Sequence, residues 1–118
     1  MSALSPRIEA YDASVSQARR CLASGDARAA FGLLERAHVL GQRDVGRHVH
    51  VHLLMLRAAW TLRDGREVRG QLLRLALVPL GHLLRRLPAG NTGGANVSAF
   101  EPMAVAPDLA RLLDDKGG

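Results

Sequence analysis

The amino-acid sequence predicts an all-α protein, built from two antiparallel helical hairpins, a Gly/Asn-rich extended segment and a short C-terminal helix. Apolar residues recur every three or four positions along most of the chain, which is the spacing of one helix face. Aromatic residues make up 3% of the 118 residues, so leucine, alanine and valine must form the core. That composition favours closely packed helices over a β-sandwich.

Capping and turn residues divide the first half of the chain into two helices. Ser5 followed by Pro6 is a typical helix start, with a capping hydroxyl and a proline in the first turn. Gly25 ends this helix and Asp26 caps the next one. We expect the second helix to end at Gly41.

The second half repeats this arrangement. Asp44 is expected to cap a third helix that runs to about Arg63, and Asp64-Gly65 to form the next turn. The fourth helix then meets Pro79, where proline is expected to kink or end it. Residues 80–87 are expected to form a short helical continuation.

A faint internal repeat supports the two hairpins. Leu33 and Leu34, after the first Gly-Asp turn, correspond to Leu72 and Leu73, which follow the second turn 39 positions later. Helix–turn–helix units of about this length build tetratricopeptide-like arrays, although two units are too few for a solenoid. The arrangement predicted is therefore a TPR-like pair of hairpins or a small four-helix bundle.

Length and boundaries indicate one helical domain over residues 1–118. The helical core spans 6–87, the Gly/Asn-rich loop 88–106 and the last helix 107–115. Cys21 has no partner for an intramolecular disulfide, and the first residues lack the pattern of a signal peptide. The longest apolar run is too short to span a bilayer. We expect a soluble cytoplasmic protein without a membrane partner.

The net charge of +5 raises the question of nucleic-acid binding. The arginines are spread over every predicted helix, and no basic run is interleaved with aromatic residues. A nucleic-acid partner is therefore unlikely on the sequence.

Four of the five histidines lie between positions 38 and 52, around the turn that joins the second and third helices. Glu35 and His38 are three residues apart, and His48 and His52 are four apart, so each pair shares one helix face. Folding the turn brings the two faces together. Three imidazoles and a carboxylate form a ligand set like those of helical bundles, whereas His50 is expected to be exposed.

Mixed nitrogen and oxygen ligands favour a transition metal. Zinc is the first expectation, with iron, copper and nickel behind it. Four protein ligands would make a closed structural site, whereas a second-shell Glu35 would leave a position open for water. The alternative is a buried polar cluster without a metal. Residues 48–52 lack the glutamate of a His-Glu-x-x-His protease motif.

Other polar residues are candidates for supporting roles. Glu67 and Gln71 lie one helical turn apart and are expected on a solvated face, unless that face meets the third helix and makes them second-shell partners. Asn91, Thr92 and Asn96 belong to the glycine-rich loop, which is expected either to cover the site as a lid or to hydrogen-bond the metal ligands. Alternatively, these side chains only hydrogen-bond the backbone of the loop itself. His82 is expected to lie away from the site.

Three stretches together resemble a family of small bacterial helical proteins of unknown function. They are ERAHVLGQ at 35–42, HVHVH at 48–52 and GNTGGANVSAF at 90–100. The resemblance implies a compact helical protein in which the histidines and the loop belong to one signature. It implies no particular activity. The leading hypothesis is a metal-binding protein, for metal handling or metal-assisted catalysis. The alternative is an interaction module with a protein partner or a second copy, in which the histidines are structural.

Overall fold

The structure is a computed structural model that describes residues 5–84, 93–94 and 103–114. Within these ranges it contains five α-helices and no strand, which confirms the predicted all-α class. The helices are α1 Pro6–Ala23, α2 Ala27–Gly41, α3 Val45–Thr61, α4 Gly65–Leu84 and α5 Pro107–Leu113.

The helices pack in chain order. Helix α1 lies against α2, α2 against α3, and α3 against α4, while α5 packs on α2 and α1. Two hairpins, α1–α2 and α3–α4, are thus joined through the contact between α2 and α3, as the sequence predicted. The predicted histidine stretch falls at this central contact.

The two hairpin turns use the same cap. Asp26 accepts a hydrogen bond from the backbone N–H of Ala29 (3.1 Å), and Asp64 accepts one from that of Glu67 (3.0 Å). Each aspartate satisfies a donor that the first helical turn leaves without a partner. Gly25 takes a left-handed φ of +85° in the first turn, a conformation that glycine adopts without strain. The second helix of each hairpin therefore begins with the same type of cap.

Aliphatic side chains of α1, α2 and α3 form the core. Leu34, Ala37, Met55 and Ala58 at its centre have no exposed surface. The ring of Tyr11 closes the end near the α2–α3 turn, so close to Gly41 that a Cβ there would lie 2.6 Å from a ring carbon. Glycine at position 41 therefore allows α1 to approach the end of α2 as well as ending the helix.

Helix α4 turns its polar side inward. Its buried residues are Glu67, Gln71, Arg74, Val78 and Gly81. Leucines on the opposite side are exposed to solvent, Leu72 by 52% and Leu73 by 56%. The expectation of a solvated face for Glu67 and Gln71 was wrong, because that face meets α3.

Pro79 neither ends nor divides α4, which continues to Leu84. The proline lies on the exposed side of the helix. Water can replace the missing N–H donor there, so the helix tolerates the proline. The predicted continuation beyond residue 84 lies outside the described residues.

Helical spacing predicts an apolar stripe on α3 through Val45, Val49, Leu56, Ala59 and Trp60, but of these only Ala59 is buried. Val45 and Trp60 are 52% and 73% exposed, and the buried stripe instead runs through Val51, Met55 and Ala58. None of the helices in the described ranges is long and apolar enough to cross a membrane.

A buried arginine ties α1 to the central turn. The Arg7 side chain has no exposed surface and donates to the backbone carbonyl of Leu40 and to a carboxylate oxygen of Asp44 (3.2 Å). Asp44 occupies the N-cap position of α3 as predicted, but its side chain makes no capping hydrogen bond. Its carboxylate instead lies between Arg7 and Arg47 (3.4 Å).

Replacing Asp44 with alanine tests this anchor. We expect Asp44→Ala to lower the free energy of unfolding by about 2–4 kcal/mol, because it leaves a buried guanidinium without its carboxylate. Asp108→Ala is the control, since its 2.7 Å bond to Arg36 lies between two half-exposed side chains and is screened by water. Urea unfolding followed by circular dichroism measures both. Equal losses in the two variants would contradict the anchoring role.

Candidate metal centre

Three imidazoles meet where α2 packs on α3. His38 lies in the last turn of α2, and His48 and His52 lie one turn apart on α3. All three are buried, with exposed fractions of 3%, 7% and 1%. The structure thus brings together the three histidines that the sequence selected.

The rings form a compact triangle. Their centroids are 4.7 to 4.9 Å apart, and one ring nitrogen from each lies within 4.8 Å of the others. The Nε2 atoms of His38 and His48 face each other at 3.1 Å. Two imidazole lone pairs repel at this distance, so a proton or a cation must lie between them.

The spacing agrees with a metal site. Zinc–nitrogen bonds of about 2.0–2.1 Å in tetrahedral geometry place two ligand nitrogens about 3.3 Å apart. The Nε2 atoms of His38 and His48 are already near that separation. The nitrogens of all three rings spread over up to 4.8 Å, so the third must move closer before all three can bind one ion.

A hydrogen-bond network fixes the orientation of His52. Its Nδ1 lies 2.6 Å from Oε1 of Gln71. The Gln71 amide nitrogen donates to Oε2 of Glu67 (2.8 Å) and to the carbonyl of Gly93 (2.9 Å), two acceptors that determine which end of the amide faces His52. His52 must therefore carry its proton on Nδ1, and Nε2 keeps a free lone pair for a metal.

His82 holds His48 in a similar way. The Nδ1 of His48 lies 2.9 Å from Nε2 of His82, and the two ring centroids are 5.1 Å apart. A metal on Nε2 of His48 would leave Nδ1–H to donate to His82, the usual outer partner of a ligating histidine. The expectation that His82 lies away from the site was therefore wrong.

Glu35 is not part of the triangle. Among the described residues, the three histidines form the only group of three or more potential metal ligands. Carboxylate oxygens of Glu35 and Glu67 lie 3.7 and 3.8 Å from where a Cβ on Gly94 would be. Both carboxylates thus border Gly94, and ligation by Glu35 stays a prediction.

The described part of the glycine-rich segment covers the cluster. Gly93 has a φ of +82°, and a Cβ on it would lie 2.6 Å from Cδ2 of His38. Only glycine allows this backbone to lie against the imidazole. Asn91, Thr92 and Asn96 lie outside the described residues, so their predicted lid or second-shell role stays a prediction.

Burial keeps His48 and His52 neutral. Together with the smaller effects of the neighbouring His52 and His82, it lowers the pKa of His48 to about 3. Burial also lowers the pKa of His52, an effect that Arg74 reinforces and the hydrogen bond to Gln71 partly opposes. Metal ligation needs neutral imidazoles, so these rings are in the correct protonation state at neutral pH.

His50 takes no part in the cluster. It is half-buried rather than exposed, and its Nε2 lies 3.0 Å from a guanidinium nitrogen of Arg19. Two residues along a helix correspond to about 200° of rotation, which places His50 away from the face shared by its neighbours.

The buried face of α4, which supports the histidine cluster, could have been recognised in the sequence from its spacing. Glu67, Gln71, Arg74, Val78 and Gly81 follow one another at steps of four and three, which is the spacing of a single helix face. The apolar stripe on the other side of α4 has similar spacing. Hydrophobicity alone therefore selected the wrong face of this helix.

The fold and the site together define a class: an all-α protein of two helical hairpins with a buried three-histidine cluster at its centre. The chain belongs to a family described as "Protein of unknown function (DUF3703)", whose profile matches residues 6–113. This agrees with the resemblance to an uncharacterised helical family. No similar protein of curated function and no similar solved structure was found.

The metal-free protein should lose stability as the pH falls below about 6.5. Unfolded histidines take up protons near that value, whereas His48 and His52 in the folded protein do not. The free energy of unfolding should fall by about 1.4 kcal/mol per pH unit for each ring kept neutral. Urea titrations between pH 7 and pH 5 measure this slope. His48→Leu should reduce it and His50→Ala should preserve it, and a flat wild-type profile would refute neutral burial.

Gly93→Ala should disturb the cluster beyond the cost of its backbone conformation. The new methyl group meets the His38 ring, so we expect lower stability and at least tenfold weaker zinc binding, because metal sites need correctly placed rings. Gly25→Ala is a matched control with nearly the same φ of +85° and no atom within 4 Å of its Cβ. Its zinc affinity should be unchanged. Calorimetric zinc titration of both variants separates local strain from contact with the site.

Proposed function

We propose that this protein binds a divalent transition metal ion through Nε2 of His38, His48 and His52. The observation that carries the proposal is the network from Glu67 through Gln71 to His52, which leaves the Nε2 lone pair of His52 available beside the other two rings. Carboxylate or amide partners on the outer nitrogens of ligating histidines are typical of metal sites.

Nearby charge favours a cation. Glu35 and Glu67 border Gly94 beside the cluster, and together they can balance the two positive charges of the ion. The positive charge of Arg74 disfavours a cation, since this side chain is buried on the same face of α4 as Glu67. Burial lowers the pKa of Arg74, and the carboxylate of Glu67 partly opposes this by stabilising the charged guanidinium, so part of its charge is already compensated.

Zinc is the first candidate for the ion. Imidazole ligands also suit iron, copper and nickel, but zinc accepts three histidines in a tetrahedral arrangement without a preference imposed by d electrons. The fourth position is left to water or to the carboxylate of Glu35. A bound water gives the site the ligand arrangement of catalytic zinc centres, whereas Glu35 closes it.

Because the rings are buried, the proposed site suits storage or transfer of a metal ion better than catalysis on a large substrate. Each histidine is at least 93% buried, which suits an ion more than a large substrate. Metal-assisted reaction of a small molecule is the narrower possibility within the same proposal. The single free cysteine is compatible with the reducing cytoplasm. In that compartment the protein would obtain its metal from exchangeable complexes.

The alternative function is an interaction module in which the histidines stabilise the interior without metal. The nitrogen–nitrogen distances also fit this alternative. His38 can donate to His48, and His48 to His82, in a chain of neutral N–H···N hydrogen bonds. The metal proposal and this alternative differ in what happens when zinc is added to the folded protein.

Elemental analysis of untagged protein by mass spectrometry tests the proposal. We expect about one metal ion per chain after purification or after reconstitution with zinc, because three preoriented imidazoles make one site. The His48→Ala/His52→Ala double variant should lose it, whereas His50→Ala should retain it. Wild-type protein that stays folded and takes up no zinc, cobalt, copper or nickel would refute metal binding and favour the interaction module.

Glu35→Gln examines the fourth position in the same assay. As a ligand, Glu35 contributes directly, and its loss should weaken zinc binding by more than 100-fold. As a nearby compensating charge it should weaken binding by roughly tenfold, with the stoichiometry retained. We expect the smaller effect, because the triangle forms without the carboxylate.

A further inference from the structure

Helix α4 presents an uncharged apolar face to solvent. After Arg69, every exposed residue of the helix is apolar, as the exposed positions Leu72, Leu73, Ala76, Pro79, Leu80, Leu83 and Leu84 show. Leu83 is 79% exposed and Leu80 46%. On a helical projection these residues cover one side, of roughly 140°, opposite the buried polar residues.

The face cannot be buried by rotating α4. Its opposite side carries Glu67 and Gln71, which belong to the network around His52. Rotation would break these hydrogen bonds and expose the histidines. The apolar side therefore stays outside while this hydrogen-bond network is intact, and another surface is needed to cover it.

Helix α3 extends the same surface. Leu53, Leu56 and Trp60 line a shallow cleft together with Val68 and Leu72 of α4. Trp60 is 73% exposed and Leu53 52%. The exposed large apolar side chains of the two helices present roughly 800 Å², about the area that each partner contributes to a stable protein interface.

The spacing along α4 suits packing against another helix. Leu73, Leu77, Leu80 and Leu84 are separated by four, three and four residues, which is the pattern of a coiled-coil seam. The stripe holds no charge, so two copies can meet in an antiparallel arrangement without like-charge repulsion. A closed two-fold contact uses the same patch on both copies.

A bilayer surface is a poorer match. Helices that lie on anionic membranes carry lysine or arginine on a solvated polar face, opposite the apolar one. The exposed arginines of α4, Arg66 and Arg69, are confined to its first turns, and its polar side is packed on α3. The apolar stripe itself offers no charge to lipid head groups.

We propose that the outer face of α4, with Leu53 and Trp60 of α3, binds a second copy of this chain in a two-fold dimer. The α4 helices of the two copies pack antiparallel, with the axis near Ala76 and Leu80. The interface is separate from the ligands of the proposed metal site, and each copy keeps its own cluster. Dimerisation therefore does not depend on bound metal.

Analytical ultracentrifugation of untagged protein tests the dimer. We expect a dimer at roughly 10–100 µM, in the concentration range where an interface of this size is stable. Leu73→Glu/Leu80→Glu should weaken association at least 100-fold, because each copy brings two charges into the apolar seam. Both positions are exposed, so the monomer should stay folded, as circular dichroism would verify. Ser16→Glu on the exposed side of α1 is the control and should remain dimeric.

Cysteine cross-linking locates the contact. In a Cys21→Ser background, Ala76→Cys should form a disulfide-linked dimer under mild oxidation, because residues near a two-fold axis meet their own copies. Ala13→Cys, another exposed alanine, should not. A wild-type protein that is monomeric throughout the concentration range would overturn the proposal, as would a dimer that the double glutamate variant leaves unchanged. Monomers that bind anionic lipid vesicles would assign the face to a membrane surface instead.

Discussion

Burial of three adjacent imidazole rings is the constraint on which the rest of the interior depends. Polar rings in an apolar core need hydrogen-bond partners or a cation, because an unsatisfied buried polar group is costly. The structure supplies partners for the outer nitrogens of His48 and His52 from α4, in His82 and Gln71. The inner nitrogens are left facing one another, and an ion would satisfy all three at once.

This constraint accounts for the unusual orientation of α4. To support the histidines, the helix must place Glu67 and Gln71 against α3, and its leucines then face solvent. The cost of exposing this apolar side is the reason to expect a partner surface. The buried histidine cluster and the exposed apolar face are thus two consequences of the same orientation of α4.

The glycine-rich segment belongs to the same arrangement. The carbonyl of Gly93 accepts from the Gln71 amide, and its Cα lies against the His38 ring, so this backbone contacts two members of the network. Any side chain at position 93 would separate them. The proximity of the histidine stretch to Gly93 and Gly94, the described part of the GNTGGANVSAF stretch, gives a physical reason for treating the two stretches as one signature.

Much of the architecture could be predicted from the sequence. Caps at Ser5 and Asp26 and glycines at helix ends are local signals, and they located the helices correctly. The pairing of His38 with His48 and His52 followed from helical spacing and a short turn. These features depend on nearby residues, which is why the sequence was sufficient for them.

Other features depend on tertiary contacts that local patterns do not contain. The inward Gln71 reverses what hydrophobicity predicts, because its hydrogen bond to the buried His52 holds that face of α4 against α3. Trp60 is 73% exposed where apolar spacing predicts burial. The approach of His82 followed from α4 continuing past Pro79, which brings a distant residue to the site. Likewise, the side chain of Asp44 does not cap α3 but accepts a hydrogen bond from the buried Arg7, which lies 37 residues away in the sequence.

Anomalous X-ray diffraction at the zinc edge, on crystals of untagged protein reconstituted with zinc, tests the central claim most directly. The account predicts one strong peak per chain, about 2.0–2.1 Å from the Nε2 atoms of His38, His48 and His52. Gln71 should remain bonded to the Nδ1 of His52. A density map with no peak at the cluster, and the three rings joined only by hydrogen bonds, would contradict the account and leave the histidines as a structural core.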